Sequence, residues 1–177
     1  MSKTCLIPTR ETDRLLLRPF ILDDLDPLAA ILADPEVIAG ATYSGQTMNR
    51  SQAWNWLSSM LGHWHLRGFG IWAVEEKASG DFIGRIGLQL LDWFEDVELV
   101  WMLARPYWGK GYATEGAKSA IQFAFRSLEL PVISAVIRTD NLRSLRLAKR
   151  LGMSRARELE RADVMFYEYR LNNTDQQ

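Results

Sequence analysis

The chain has 177 residues, a formal net charge of -1 at pH 7 and a single cysteine, Cys5. This length predicts one domain over residues 1–177, with a folded core at about residues 10–172. The nearly neutral charge gives no reason to expect binding to nucleic acid or to a membrane, and no apolar run reaches the roughly 18 residues of a transmembrane helix. Because a lone cysteine cannot form an internal disulfide, we expect a cytoplasmic protein.

The first part of the chain predicts one strand and two helices. Residues 15–20 are mostly apolar and predict a strand that Pro19 ends. A helix follows from Asp23 to the Asp-Pro pair at 34–35, where proline is expected to stop it. Residues 35–49 contain two glycines and are predicted to be irregular, whereas residues 50–67 repeat apolar side chains at helical spacing.

Three strands in succession are predicted next, at residues 71–76, 82–91 and 97–103. The short glycine-bearing turn between the first two predicts an antiparallel hairpin. Because no long helix separates these strands, their order argues against a dinucleotide-binding fold, in which strands and helices alternate. The later elements are predicted as a helix, a strand, a helix and a strand pair, at 113–128, 132–137, 142–151, 154–160 and 163–171.

The predicted fold class is therefore α/β (α+β): a single domain with a mixed, mostly antiparallel sheet flanked by helices. The fourth and fifth strands, at 97–103 and 132–137, should form the parallel pair, joined by the 113–128 helix.

The loop at residues 108–113 connects the predicted fourth strand to this helix. The first amides of a helix have no intrahelical partner and lie at the positive end of its dipole, so they form a site for an anion. Gly109 and Gly111 would let the backbone approach a phosphate, and Lys110 adds a positive charge. The glycine spacing fits neither the dinucleotide-binding pattern nor the full P-loop pattern.

Residues 108–115, Trp-Gly-Lys-Gly-Tyr-Ala-Thr-Glu, closely resemble the acetyl-CoA pyrophosphate loop of the GCN5-related N-acetyltransferases (GNAT). The resemblance is strongest to the branch that holds the ribosomal-protein N-terminal acetyltransferases. The family pattern is Gln/Arg-x-x-Gly-x-Gly/Ala, from which Trp108 departs at the first position. Residues 12–18 also resemble the opening of that branch, and residues 141–153 resemble the pattern Asn-x-x-Ser/Ala-x-x-Leu, with Met153 replacing a phenylalanine. The resemblance covers nearly the whole chain.

This resemblance implies an N-acetyltransferase that moves the acetyl group of acetyl-CoA to a primary amine, by direct attack in a ternary complex and without a metal. The acceptor is open between a protein N-terminal amine and a small-molecule amine, and a homodimer is also open. The implied cofactor-binding residues are Met102, Leu103, Trp108, Gly109, Lys110, Gly111, Tyr112, Ala113, Thr114, Asn141 and Ser144. Asn141 is expected to contact the pantetheine arm or the neighbouring backbone, or to cap its helix.

An amine must be neutral to attack a thioester, so a general base is expected. We predict Glu98 as this base, with Glu95 and Asp96 as alternatives; the competing interpretation of Glu98 is an exposed or salt-bridged strand residue. Many family members use a tyrosine in the last helix to protonate the thiolate, but Ala148 occupies that position. Ser144 is the candidate donor, and its alternative role is helix packing.

Several other side chains have two interpretations. Arg143, Arg146 and Arg150 share a helix face, and they could bind CoA phosphates or form a solvated basic surface. Glu115 is expected to stabilise the helix dipole. His63 and His65 are two residues apart and cannot share a helix face for a metal, so they are expected to end their helix. The tryptophans that could line an acceptor cleft are Trp54, Trp72 and Trp93.

Two alternatives to the enzyme are open. One is a non-catalytic acyl-CoA-binding sensor that keeps the phosphate loop without a base. The other is a binder of a different phosphate ligand, such as a nucleotide.

Overall fold

A computed structural model describes residues 6–42 and 44–176 of the chain. The strands within this part are β1 (Arg10–Glu11), β2 (Leu15–Arg18), β3 (Ile71–Glu76), β4 (Phe82–Gln89), β5 (Glu98–Leu103), β6 (Val132–Arg138), β7 (Ser154–Arg161) and β8 (Val164–Asn172). The α-helices are α1 (Leu25–Ala33), α2 (Pro35–Ala41), α3 (Arg50–Arg67), α4 (Tyr112–Arg126) and α5 (Leu142–Arg150).

The eight strands form one sheet in the order β1-β2-β3-β4-β5-β6-β8-β7. Every neighbouring pair is antiparallel except β5 and β6, which are parallel and are connected through α4. The predicted fold class is therefore confirmed, including the position of the parallel pair.

Apolar side chains cover both faces of this sheet. One face packs against α4, whose small residues Ala117, Ala120 and Ala124 are buried and let the helix lie close to β4 and β5. The other face packs against α1 and α3 through Leu28 and Leu57. The sheet is thus the central layer, and both cores hold its strands in place.

The segment at 35–49 is not irregular throughout, because α2 occupies its first seven residues. Asp34 accepts a hydrogen bond from the Glu36 amide at 3.0 Å, and Pro35 stands at the first helical turn. An Asp-Pro pair can begin a helix as well as end one, since proline needs no amide at that position. The prediction recognised only that this pair ends α1, and not that it also begins α2. The consequence is functional, because α2 brings Gly40 against Asn141.

The parallel pair β5–β6 separates almost at once. Its only registered pair is Glu98 with Ser134, supported by a bond of 3.0 Å from the Ser134 amide to the Val97 carbonyl. The next available amide on β6, that of Val136, donates instead to Oε1 of Glu98 at 3.3 Å. In the described part of the chain, the edge of β5 from Leu99 onward therefore has no strand partner on the β6 side.

Two glycines test the packing in opposite directions. A Cβ on Gly87 would lie 2.5 Å from the Gly70 carbonyl oxygen and 2.5 Å from Ile71 Cα, so Gly87→Ala should lower the free energy of unfolding by about 1–3 kcal/mol. A Cβ on Gly62, inside α3, would meet no atom within 4 Å, so Gly62→Ala should raise it by about 0.5–1 kcal/mol. Urea unfolding of both variants checks the pair, and equal shifts would contradict the packing of β4 on β3.

Candidate active site

The loop between β5 and α4 has the backbone geometry of an anion site. Gly109 and Gly111 have φ angles of 75° and 85°, in the left-handed region that favours glycine. The first bond of α4 runs from the Glu115 amide to the Gly111 carbonyl at 3.0 Å. The three preceding amides, at residues 112–114, therefore have no intrahelical acceptor and can bind an anion.

Side chains of the loop hold it against the sheet. Trp108 Nε1 donates to the Leu103 carbonyl at 2.8 Å, and the buried Tyr112 hydroxyl donates to Glu76 on β3. The Lys110 side chain is exposed, with its Nζ 5.2 Å from the centre of the Tyr107 ring. The loop thus presents its backbone to a ligand while its aromatic side chains serve as anchors.

Glu115 does more than complement the helix dipole. Its carboxylate accepts hydrogen bonds from the Thr12 hydroxyl at 2.6 Å, the Arg14 amide at 2.8 Å and Arg14 Nε at 2.7 Å. Arg14 also donates from Nη1 to the Lys110 carbonyl at 3.0 Å and lies 4.4 Å from the Tyr112 ring centre. Burial raises the pKa of Glu115, but the hydrogen bonds from Thr12 and Arg14 outweigh it, so the pKa lies below its ordinary value.

The hydrogen bonds that join Glu115 to Thr12 and Arg14, which we call the clamp, predict that the stability of the chain depends on pH. Because the pKa of Glu115 is lower in the folded chain than its ordinary 4.5, its stabilisation is complete above that value and is lost as pH falls through the folded pKa. Glu115→Gln should therefore reduce the free energy of unfolding at pH 7 and flatten its fall in acid. Urea unfolding from pH 7 to about pH 3 measures both slopes. The exposed Glu129→Gln is the control, with an expected change of less than about 0.5 kcal/mol; equal behaviour of the two variants would contradict the clamp.

A groove of about 620 Å³ runs from the loop along α5, and we call it the loop groove. It is lined by every predicted cofactor-binding residue except Lys110. Arg143, Arg146 and Arg150 line it as well. Arg143 lies 4.2 Å from the Trp108 ring centre, and Arg150 donates to the Thr114 hydroxyl at 3.2 Å. Three arginines at one wall, with free amides at the end of the groove, suit a ligand with several phosphates.

Asn141 and Ser144 form a small network at the start of α5. Asn141 Oδ1 accepts from the Ser144 amide at 3.1 Å, so Asn141 caps the helix as predicted. Its Nδ2 donates to the Gly40 carbonyl and to Ser144 Oγ, each at 2.9 Å. Trp101 Nε1 donates to the same Oγ at 3.1 Å. Because Ser144 Oγ accepts both bonds, its own hydrogen remains available to a third group.

A second cavity of about 290 Å³, which we call the inner cavity, lies on the α3 face of the sheet where β5 and β6 separate. Among its lining residues, Gly40, Ala41, Trp101 and Ser144 also line the loop groove, so the two spaces meet at this common wall. Two ligands bound in the two spaces would therefore be brought together at Ser144.

Glu98 lies in the wall of the inner cavity and is 4% exposed. Its carboxylate accepts from Gln89 Nε2 at 2.7 Å and from the Val136 amide. The exposed form of the competing interpretation is therefore wrong, and its salt-bridged form stays a prediction. The alternative Asp96 accepts from Ser134 and pairs with Arg170 at 3.0 Å. Neither Asp96 nor the exposed Glu95 is among the described residues that line the inner cavity.

Comparison with known proteins shows the family of the chain. The family model of the acetyltransferase (GNAT) domain matches residues 14–154. The chain belongs to the GNAT family. It is 31% identical to p20, an uncharacterized N-acetyltransferase of Bacillus licheniformis, over 83% of each chain. An acetyltransferase from Agrobacterium tumefaciens superposes with a TM-score of 0.84 at 30% identity, covering 94% of this chain and 95% of the other.

RimL, a ribosomal L7/L12 alpha-N-protein acetyltransferase solved with coenzyme A, has a TM-score of 0.76 over 91% of this chain and 95% of its own, and its 12% identity shows a common fold alone. The predicted family is thus confirmed, and the GNAT chain described here is an acyltransferase of the N-acetyltransferase kind.

The tryptophans of this GNAT chain differ from the prediction. Trp72 is fully buried and stacks edge-on against Trp64, while Trp54 and Trp93 are 47% and 41% exposed. None of the three predicted tryptophans lines the inner cavity, whose described tryptophans are Trp56 and Trp101. Trp56 belongs to the apolar side chains that repeat at helical spacing over residues 50–67, but this spacing does not show that the face they form also borders a cavity.

Arg85 is the functional candidate that the sequence analysis missed. It is 6% exposed in β4 and lines the inner cavity. A signal was present, because an arginine within the otherwise apolar stretch at 82–88 is unusual for a central strand. His63 has a structural role: Nδ1 donates to the Phe69 carbonyl at 2.7 Å, and Nε2 accepts from the Leu90 amide at 3.1 Å.

No group of three or more His, Cys, Asp or Glu side chains among the described residues is arranged to hold a metal ion. Within the same residues, none of the helices combines the length and the apolar composition needed to span a membrane.

Proposed function

We propose that the chain transfers the acetyl group of acetyl-CoA to a primary amine, with the donor in the loop groove and the amine in the inner cavity. The observation that carries the proposal is the common wall of these two spaces, which has Glu98 on the cavity side and Ser144 at the junction. Direct transfer needs both substrates in contact, and such positioning can contribute about 7–11 kcal/mol to the barrier reduction.

The loop groove fits a CoA donor. The amides at residues 112–114 would bind the pyrophosphate, and the three arginines of α5 would bind the remaining phosphates. The β6-facing edge of β5 has backbone groups without a strand partner, so it can hydrogen-bond an extended pantetheine arm and the carbonyl oxygen of the thioester. Membership of the acetyltransferase (GNAT) family supports this donor class.

The chemistry assigns separate roles to two side chains. Glu98 accepts a proton from the substrate ammonium, directly or through water, and the neutral nitrogen attacks the thioester carbonyl carbon. A C–N bond forms, the C–S bond breaks, and the thiolate leaves with the electron pair. The attacking nitrogen gives up its second proton as the amide forms, and the thiolate takes it up to become the thiol. The hydroxyl hydrogen of Ser144 is placed to stabilise that thiolate, which needs little help because a thiol has a pKa of about 8.5.

A thiol-release assay tests the proposal. Acetyl-CoA is supplied with amino acids, their amides, other small amines and short peptides with different N-terminal residues. Release that depends on an acceptor supports the transferase. CoA binding without release for any acceptor would favour an acyl-CoA sensor, and competition by ATP as strong as by CoA would favour a nucleotide binder.

Three further parts of the proposal have simple checks. Light scattering tests whether the chain forms a homodimer. Fractionation of cells that express the chain tests the cytoplasmic location, and the coincidence of two unfolding probes tests the single domain over residues 1–177.

A further inference from the structure

We propose that Arg14 is a positioning residue for the donor, because it fixes the backbone of the loop that binds the pyrophosphate of CoA. The donor site is part of the proposed function, on which this inference rests. Arg14 lies 96 residues before Lys110 in the sequence, and the chemistry of transfer assigns it no part. It belongs to the opening segment at residues 12–18, whose role in the activity is thereby explained.

Arg14 contacts the loop through the loop backbone. Its Nη1 donates to the Lys110 carbonyl at 3.0 Å, and Lys110 lies between two glycines, Gly109 and Gly111, that both have positive φ angles. Glycine populates many conformations at similar energy, so this stretch needs an outside partner to stay in one of them. A hydrogen bond from a charged donor to the carbonyl between the glycines supplies that partner.

The guanidinium of Arg14 is committed within the protein and does not face the ligand as a free cation. Nε and Nη2 each lie 2.7 Å from Oε2 of Glu115, while Nη1 bonds to Lys110. One face of the group lies over the Tyr112 ring, whose hydroxyl is itself anchored to Glu76. Arg14 is therefore expected to act on the donor through the loop, and not by binding a phosphate.

The pair with Arg14 also removes an electrostatic obstacle. Glu115 stands in the first turn of α4, beside the amides at residues 112–114 that would bind the pyrophosphate. An uncompensated carboxylate there would repel a phosphate. Because Arg14 neutralises Glu115, the acid that anchors the clamp does not oppose the ligand of the loop.

The segment at residues 12–14 is itself anchored to the sheet, so it can hold the loop in place. The Lys77 amide donates to the Arg14 carbonyl at 2.9 Å, and Lys77 Nζ donates to the Thr12 carbonyl at 2.7 Å. Thr12 Oγ1 accepts from the amide of Leu15, a fully buried residue of β2, at 3.0 Å. The loop is thus connected to the core of the sheet through Arg14 as well as through its own chain neighbours.

Arg18 provides a matched control on the strand that follows. Its guanidinium pairs with Asp24 at 2.8 Å and with Glu75 at 2.7 Å, and its side chain is 15% exposed against 47% for Arg14. None of these three residues is among the described residues that line the loop groove. Arg18→Gln should therefore reduce the free energy of unfolding at least as much as Arg14→Gln does, and it should leave the donor affinity unchanged.

Calorimetric titration with CoA tests the proposal without any acceptor. Arg14→Gln should raise the dissociation constant of CoA about 10-fold, as for a loop that populates its binding geometry about a tenth of the time. Arg14→Lys should recover part of the affinity, since an ammonium keeps the charge but lacks the planar fork that serves both partners. Where transfer is observed, the KM for acetyl-CoA should rise with the dissociation constant while kcat at saturation stays within about twofold.

Hydrogen exchange gives a second test, on the wild type alone. The Arg14 amide donates to Glu115 at 2.8 Å, and the coupling between loop and clamp must act in both directions. Added CoA should therefore slow the exchange of this amide, although the ligand does not touch it.

The outcomes distinguish this proposal from the proposed function. An unchanged CoA affinity in folded Arg14→Gln would overturn the role of Arg14, and so would an equal loss in Arg18→Gln, because reduced stability would then explain both. If Arg14→Gln does not fold, an Arg14 amide whose exchange is insensitive to CoA would overturn it. Donor binding that depends on Arg14, with no thiol release for any acceptor, would support the positioning role and contradict the transferase alone. Failure of wild type to bind CoA would overturn both.

Discussion

Glu98→Gln is expected to lower kcat by about 10²–10⁴-fold while the affinity for acetyl-CoA stays unchanged. Glutamine keeps the size of the side chain and can still accept a hydrogen bond from the Val136 amide, but it cannot take the proton of the ammonium. Because Glu98 lines the inner cavity and not the loop groove, the donor should bind as before. Thiol release under saturating acetyl-CoA gives kcat, and direct titration gives the donor affinity.

Two nearby carboxylates serve as controls for this variant. Glu95→Gln changes an exposed residue, and it should leave both constants unchanged. Asp96→Asn weakens the pair with Arg170, and it should lower stability more than the rate of transfer. A kcat for Glu98→Gln within a few-fold of wild type would remove Glu98 as the base. Loss of the acid limb of the pH–rate profile in Glu98→Gln alone would support it.

Gly111→Ala is expected to weaken acetyl-CoA binding by about 10- to 100-fold, the equivalent of one hydrogen bond to a charged group. The residue has a φ of 85°, and a Cβ there would lie 3.3 Å from Arg14 Nη2, on the clamp that holds the loop. Alanine would shift the loop backbone away from the position where its amides can approach a phosphate. The KM for acetyl-CoA and the dissociation constant of CoA should rise together, with kcat at saturation changing much less.

Gly80→Ala separates this effect from backbone strain. Gly80 has a φ of 77° after the hairpin turn, and a Cβ would meet no atom within 4 Å. Both variants should lose about 1–2 kcal/mol of unfolding free energy from left-handed alanine. Only Gly111→Ala should also change donor affinity. Equal donor affinities in the two variants would place the phosphates elsewhere.

The loop and its flanking elements could be predicted from the sequence because their signals are local. A glycine with a positive φ, a helix start and an apolar strand each depend on neighbours within a few residues. Asn141 as a helix cap is of the same kind, since its acceptor role involves an amide three residues away. For these parts, the sequence already indicated which residues are involved, and the structure added the distances between them.

The inner cavity could not be predicted in the same way. Its walls come from three helices, α2, α3 and α5, and five strands, β3, β4, β5, β6 and β8, and the choice of residues depends on where the sheet opens. The apolar stripe of α3 predicts which face is buried but not whether a core or a cavity lies below it, so Trp56 could not be distinguished from Leu57. The place of Trp72 could not be predicted either, because it depends on a distant segment. Its side chain is buried and donates to the Pro8 carbonyl at 2.7 Å, so it does not line a cleft.

The inner cavity and the loop groove share only a common wall, so most residues of one space can be substituted without changing the lining of the other. Several side chains that line the inner cavity but not the loop groove, among them Trp56, Arg85 and Gln89, precede β5, whereas the amides and arginines of the loop groove follow it. If the acceptor binds in the inner cavity as proposed, substitutions on α3 and β4 would change the acceptor site and leave the donor site intact. After a gene duplication, the two copies could then evolve to use different acceptors while both keep the same acyl donor.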